Sequence, residues 1–146
     1  MKILLVVIAD LFIAVAAVFG AYEAFGAKRH ATFTIPYTKK MVQKKILSRE
    51  KGEKIIKEDA VSHYIGMALC VLVGVLMSLF IAKATGFITF VALAGGALIF
   101  LDPDMTETEA TRSSYYNAHK EDMDVKRYHE YLVEVGDAGD DPILQG

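Results

Sequence analysis

Residues 61–82 read VSHYIGMALCVLVGVLMSLFIA, a run with no Asp, Glu, Lys or Arg. As an α-helix it would rise about 33 Å, slightly more than the ~30 Å hydrocarbon core of a bilayer. Two further stretches share its character: Ile3–Ala21 and Phe87–Leu101. Their helical lengths are about 28 Å and about 22 Å. Lipid is therefore the expected solvent of the apolar runs. The fold class that follows is an all-α integral membrane protein with three transmembrane helices and helical cytoplasmic segments. The third helix is short for a full crossing, and a re-entrant hairpin is its alternative.

Just over half of the 146 residues are hydrophobic. They are concentrated in these runs instead of spread through amphipathic patterns, and the segments between are strongly polar. Trp is absent, which leaves Tyr22, Phe25, Tyr64 and Phe87 as the expected anchors at the membrane boundary. Cys70 is the only cysteine and lies inside an apolar run, so no internal disulfide can form.

The chain accordingly divides into a first transmembrane helix (1–27), a basic loop with some helix (28–60), a transmembrane hairpin (61–101) and an acidic tail with one helix (102–146). The loop carries ten Lys and Arg against four acids, a balance of +6. The tail has four basic residues against twelve acids, a balance of −8. Short loops rich in Lys and Arg stay cytoplasmic, which predicts an outside N-terminus and a cytoplasmic C-terminus. A cleaved signal peptide over residues 1–26 is the competing reading. Against it, signal cores run about 7–15 residues, and Asp10 interrupts this one. The opposite charges of loop and tail invite pairing within or between chains, and the loop suits anionic headgroups.

Local signals fill in the segments. Pro36 predicts a break, with Thr38 capping a short helix over Lys39–Leu47. Ser48 reads as the cap of a long helix that starts at Arg49 and enters the membrane near Val61, with Gly52 its weakest point. Ala84–Thr85–Gly86 predicts a tight turn between the second and third spans. Pro103 ends the apolar run, and Thr106 with Glu109 forms a capping box for a tail helix. Val125, Tyr128, Leu132 and Val135 repeat along one helical face, which Gly136 terminates.

Two constellations stand out. Gly66, Cys70, Gly74, Ser78 and Ala82 recur every four residues and make one narrow face of low side-chain volume. Such faces let helices approach closely in lipid, either within the chain or against another copy. Internal candidates to meet it are Ala16, Gly20 and Ala24 on the first helix, or Ala92 and Gly96 on the third. Asp10 is the one acid deep in an apolar span, a position that defaults to function. It reads either as a carboxyl hydrogen-bonded inside the bundle, with Ser78 and Thr89 as candidate partners, or as a proton or cation site.

His63 and Tyr64 read as boundary anchors. His119, Asp122, Asp124, His129 and Glu130 lie close in sequence, yet no three share one clean helical face, so no metal is assigned. No cofactor, nucleophile or phosphate-loop signature is present. The basic loop has few aromatics, so nucleic acid is not an expected partner.

These features predict a non-catalytic accessory or assembly subunit that packs through small-residue helix faces, on itself, on a copy or on a larger membrane protein. Its charged segments would dock partners. The alternatives are a small oligomeric channel or proton/cation carrier using Asp10, and an interfacial lipid-acting enzyme using His63 or the tail histidines.

Overall fold

The computed structural model describes residues 1–101 and 107–136, and among these every regular element is helical. Helix α1 spans Lys2–Arg29 and passes through a π-helical turn, His30–Thr34, into α2, Ile35–Gln43. Helix α3 spans Arg49–Met77 and α4 spans Lys83–Phe100, with a second π-helical turn, Ser78–Ala82, ahead of α4. Two tail helices follow: α5, Glu109–His119, and α6, Val125–Glu134, linked by a 3-10 turn over Lys120–Asp122. Two helical stretches, Lys2–Gln43 and Arg49–Phe100, contain windows long and apolar enough to cross a membrane.

The described residues form two compact units, one from residues 1–28 and 60–101, the other from 29–59 and 107–136. In the apolar unit, close approaches fix the helix directions. Gly20 lies against Cys70, and Gly66 against Glu23, so α1 and α3 run antiparallel. Gly74 lies against Phe90, and Gly86 against Ser78, so α3 and α4 form an antiparallel hairpin. The reversal falls at Lys83, whose backbone is left-handed at φ 52°. Ala9, Ile13 and Ala82 are buried at the centre, with Met77, Ile81 and Phe90 packed around them.

The hairpin turn is tighter than the sequence suggests. Ala84, Thr85 and Gly86 belong to the first turn of α4, where the Thr85 hydroxyl donates to the Ala82 carbonyl at 2.7 Å. Beginning at Lys83, α4 has 18 residues and rises about 27 Å instead of about 22 Å.

The second unit joins basic loop and acidic tail around one core. Phe33, Tyr37, Met41, Ile46, Leu47 and Ile55 come from the loop side, and Tyr115, Tyr116, Met123, Tyr128, Tyr131 and Leu132 from the tail. Pro36 does not break the helix. Its ring would clash with a carbonyl one turn earlier, and the π-helical turn before it widens the helix at that point. Thr38 consequently lies inside α2, buried, not at a cap.

Ser48 does cap α3, its Oγ accepting from the Lys51 amide at 3.3 Å. Helix α3 runs unbroken through Gly52, where a Cβ would come within 2.6 Å of the Val42 side chain, so glycine is what lets α2 and α3 close up. The box on α5 is formed by Thr108 and Thr111: the Thr108 amide donates to Thr111 Oγ1 at 2.7 Å and Thr108 Oγ1 accepts from the Thr111 amide at 3.2 Å. Thr106 and Pro103 lie outside the described residues. Helix α6 is capped by Asp124, and Gly136 follows it at φ 82°.

Candidate functional site

The small-residue face of α3 is met from within the chain at every position for which a neighbour is resolved. Gly66 and Cys70 abut α1 at Glu23 and Gly20, whereas Gly74 and Ser78 abut α4 at Phe90 and Gly86. Ala82 closes the same seam beside Gly86. The first part of the stripe seats α1, and its last part seats α4 together with Ala9 and Ile13 of α1. On the outer side, a Cβ at Gly95 or Gly96 would meet nothing within 4 Å.

Asp10 is half-buried, and its Oδ1 atom is sealed from solvent with no hydrogen-bond partner. The Ser78 hydroxyl is fully buried and donates to the Gly74 carbonyl at 2.7 Å, one turn back on its own helix. Among the described hydrogen bonds none joins Asp10 to Ser78 or Thr89. The three residues do not form the network that their depth in the apolar runs suggests.

Glu23 and His63 form a polar contact that the sequence reading missed. His63 Nδ1 and Glu23 Oε2 are 2.7 Å apart, with both side chains largely shielded. Gly26 makes room for the imidazole, because a Cβ at that position would fall on the ring. The only available signal was an acid and a histidine 40 positions apart near the ends of two apolar runs, which no local pattern links.

The second unit contains two built features. The first centres on Glu107. Its carboxylate accepts from Lys40 Nζ at 2.8 Å, from the Tyr131 hydroxyl at 3.0 Å and from Arg112 at 3.3 Å. Burial pushes the Glu107 carboxyl up, but these hydrogen bonds outweigh it and hold the group below the usual carboxylate range. Beside it, the Tyr37 and Tyr128 hydroxyls are 3.2 Å apart, and Thr38 Oγ1 lies 2.8 Å from the Tyr115 hydroxyl. Burial, then the contact with Tyr128, drives the Tyr37 hydroxyl far above the ordinary tyrosine range; burial pushes Tyr115 up to about 12. Lys44–Glu134 and Lys51–Asp122 add ion pairs between loop and tail at 2.7 and 2.9 Å.

The second feature is a cleft of about 250 Å³ lined by Arg29, Phe33, Asp59, Ser114, Tyr115 and His119 among others. Asp59 Oδ2 lies 2.6 Å from His30 Nδ1. The His119 ring packs on Tyr115 with centroids 4.7 Å apart, and burial lowers its pKa despite the acids nearby. Among the described residues, no group of three or more His, Cys, Asp and Glu is placed to hold a metal ion. His119 and Asp122 therefore stand apart from any larger ligand set, with Asp122 committed to Lys51.

No protein-family model matches the chain, and neither the curated proteins nor the solved structures hold a significant match to it.

Proposed function

We propose that this chain is an integral membrane protein with three crossings, N-terminus outside and C-terminus cytoplasmic, serving as a non-catalytic accessory or assembly subunit. The basic loop and acidic tail together make its cytoplasmic docking module. The observation that carries the reading is how the apolar windows are exposed. Only 22% of the window in Lys2–Gln43 and 17% of that in Arg49–Phe100 is buried, whereas a core helix of a water-soluble protein would be mostly covered. Side chains such as Ile99 and Phe100 are 74% and 84% exposed, a surface that lipid or another membrane helix would cover.

Within this reading the small-residue face of α3 holds the three helices together. Association with a copy or a larger protein falls to the outer faces and to the charged module. Native purification in mild detergent followed by mass measurement tests it. The expected mass is a defined multiple of the 16.1 kDa chain or a complex with a larger membrane protein. A single chain in every preparation would contradict an assembly role.

One observation favours a second reading, a small proton or cation carrier: the unpartnered Oδ1 of Asp10 inside an apolar helix. Asp10→Asn keeps the shape and removes ionisation. Flux into liposomes that the wild-type chain supports and Asp10→Asn abolishes would favour the carrier. Flux that is absent or unchanged eliminates it.

A further inference from the structure

Charge is scarce in the apolar unit. Asp10 is the one Asp, Glu, Lys or Arg from Ile3 to Tyr22, and Lys83 is the one from Ala60 to Leu101. The fold brings the two to the same end of the unit. Ala9 and Ile13 pack in one cluster with Ala82, and a Cβ at Gly86 would fall on Ile13, so Asp10 lies level with the reversal at Lys83. Yet the chain does not pair them. Asp10 is half-buried with one oxygen sealed and unpartnered, and Lys83 is exposed and outside the described ion pairs. The reversal also holds Lys83 left-handed at φ 52°, a backbone that costs free energy in any residue but glycine. In lipid, opposite charges are stabilised by pairing with one another.

A second copy supplies both partners. The two-fold axis of a membrane dimer runs along the bilayer normal, so it returns every residue to its own depth. Asp10 of one copy then meets Lys83 of the other, and the same contact forms twice. The surface beside these residues is open to a copy. Lys83, Phe87, Val91 and Gly95 follow one another at four-residue spacing along α4; Phe87 and Val91 are exposed, and a Cβ at Gly95 would touch nothing within 4 Å. On α1, Val7 and Ile3, one and two turns before Asp10, are exposed as well.

We propose that two copies of this chain associate through α1 and α4, with Asp10 of each paired to Lys83 of the other. This rests on the reading of the chain as a membrane assembly subunit and names its partner as a second copy.

The test weighs the full chain in maltoside by native mass spectrometry and joins copies with an apolar carbodiimide. The expected mass is twice the 16.1 kDa of one chain. A mixture of isotope-labelled and unlabelled copies should give linked peptides that carry Asp10 from one copy and Lys83 from the other. Lys83→Gln and Asp10→Asn should each weaken self-association about tenfold or more. Mixed with each other, these two variants should associate again, because the mixed dimer keeps one Asp10–Lys83 contact. Asp10→Leu should lose the dimer even where it raises the thermal midpoint, since an ion pair carries a desolvation cost that leucine avoids.

Undiminished self-association in both single variants, or linked peptides drawn only from single copies, would overturn the pairing. So would a complex that holds one copy beside a larger protein, a result that leaves the assembly role standing. A chain that alkaline carbonate washes from membranes overturns instead the membrane reading on which the pairing rests.

Discussion

The hydroxyls of Tyr37 and Tyr128 meet at 3.2 Å, joining the basic loop to the acidic tail across 91 positions of sequence. Around them, Tyr116 stacks on Tyr128 with centroids 5.1 Å apart, and Tyr115 meets Tyr37 edge to face at 4.9 Å. Loop and tail are thus two halves of one core, and the ion pairs Lys40–Glu107, Lys44–Glu134 and Lys51–Asp122 join them besides. Aromatic pairs contribute about 0.5–1.5 kcal/mol each beyond their buried area, whereas exposed ion pairs are worth about 0–1 kcal/mol.

That ranking predicts how salt acts. Zero-length carbodiimide coupling of Lys44 to Glu134, which lie 2.7 Å apart, should proceed with nearly equal yield at low and high ionic strength. A yield that collapses in high salt would mean that charge, not the tyrosine core, holds the two segments together.

Removing single hydroxyls should show the worth of the buried polar pairs. Tyr37→Phe is expected to cost about 1 kcal/mol, and Thr38→Val about 1–3 kcal/mol, because each strands a buried partner hydroxyl. Thermal unfolding followed by the tyrosine circular dichroism band checks this. Unchanged midpoints would show that the partner hydroxyls find other acceptors.

The same groups set the response to pH. The tyrosines have folded pKa values raised above 10.0, so their contribution is complete below pH 10 and fades as pH rises through the folded values, about 12 for Tyr115. On the acid side, the depressed pKa of Glu107 stabilises above its ordinary value of 4.5 and that contribution is lost as pH falls through the lower folded value. His119, lowered by burial, also costs stability as pH falls below 6.5, because the unfolded chain takes up the proton first. Stability measured across pH should therefore form a plateau with two falling limbs. Tyr115→Phe should flatten the alkaline limb and Glu107→Gln the acid one; limbs that stay as steep in these variants would contradict the assignment.

In the apolar unit, glycines should not be equivalent. Gly26→Ala drives a methyl into the His63 ring and should cost about 1–3 kcal/mol in detergent. Gly96→Ala meets nothing within 4 Å and should stabilise the helix by up to about 1 kcal/mol. Equal effects at the two sites would contradict the α1–α3 packing.

Asp10→Leu removes a sealed carboxyl oxygen that has no partner. The expectation is a gain of about 1–3 kcal/mol in thermal stability in detergent. A loss would reveal a stabilising partner bound at Asp10.

What the sequence shows well is what repeats locally. The residues of the four-residue period from Gly66 to Ala82 lie against α1 and α4, Ser48 does start a long helix, and of the face Val125, Tyr128, Leu132 and Val135 the middle two are buried while Val135, past the end of α6, is exposed. What it hides depends on distant groups or on compensation. Pro36 looks like a break because nothing in the sequence announces the π-helical turn that absorbs it. The Glu23–His63 contact and the tyrosine core link residues 40 and 91 positions apart, so no window of sequence contains both partners. Asp10, Ser78 and Thr89 all lie in apolar runs but share no hydrogen bond, since a buried serine can satisfy itself on its own helix.

The account rests on lipid surrounding the faces of α1, α3 and α4, and washing native membranes with alkaline carbonate tests this most directly. The chain is expected to stay in the pellet and to leave it only with detergent. Release into the wash as a monodisperse species without any surfactant would contradict the account.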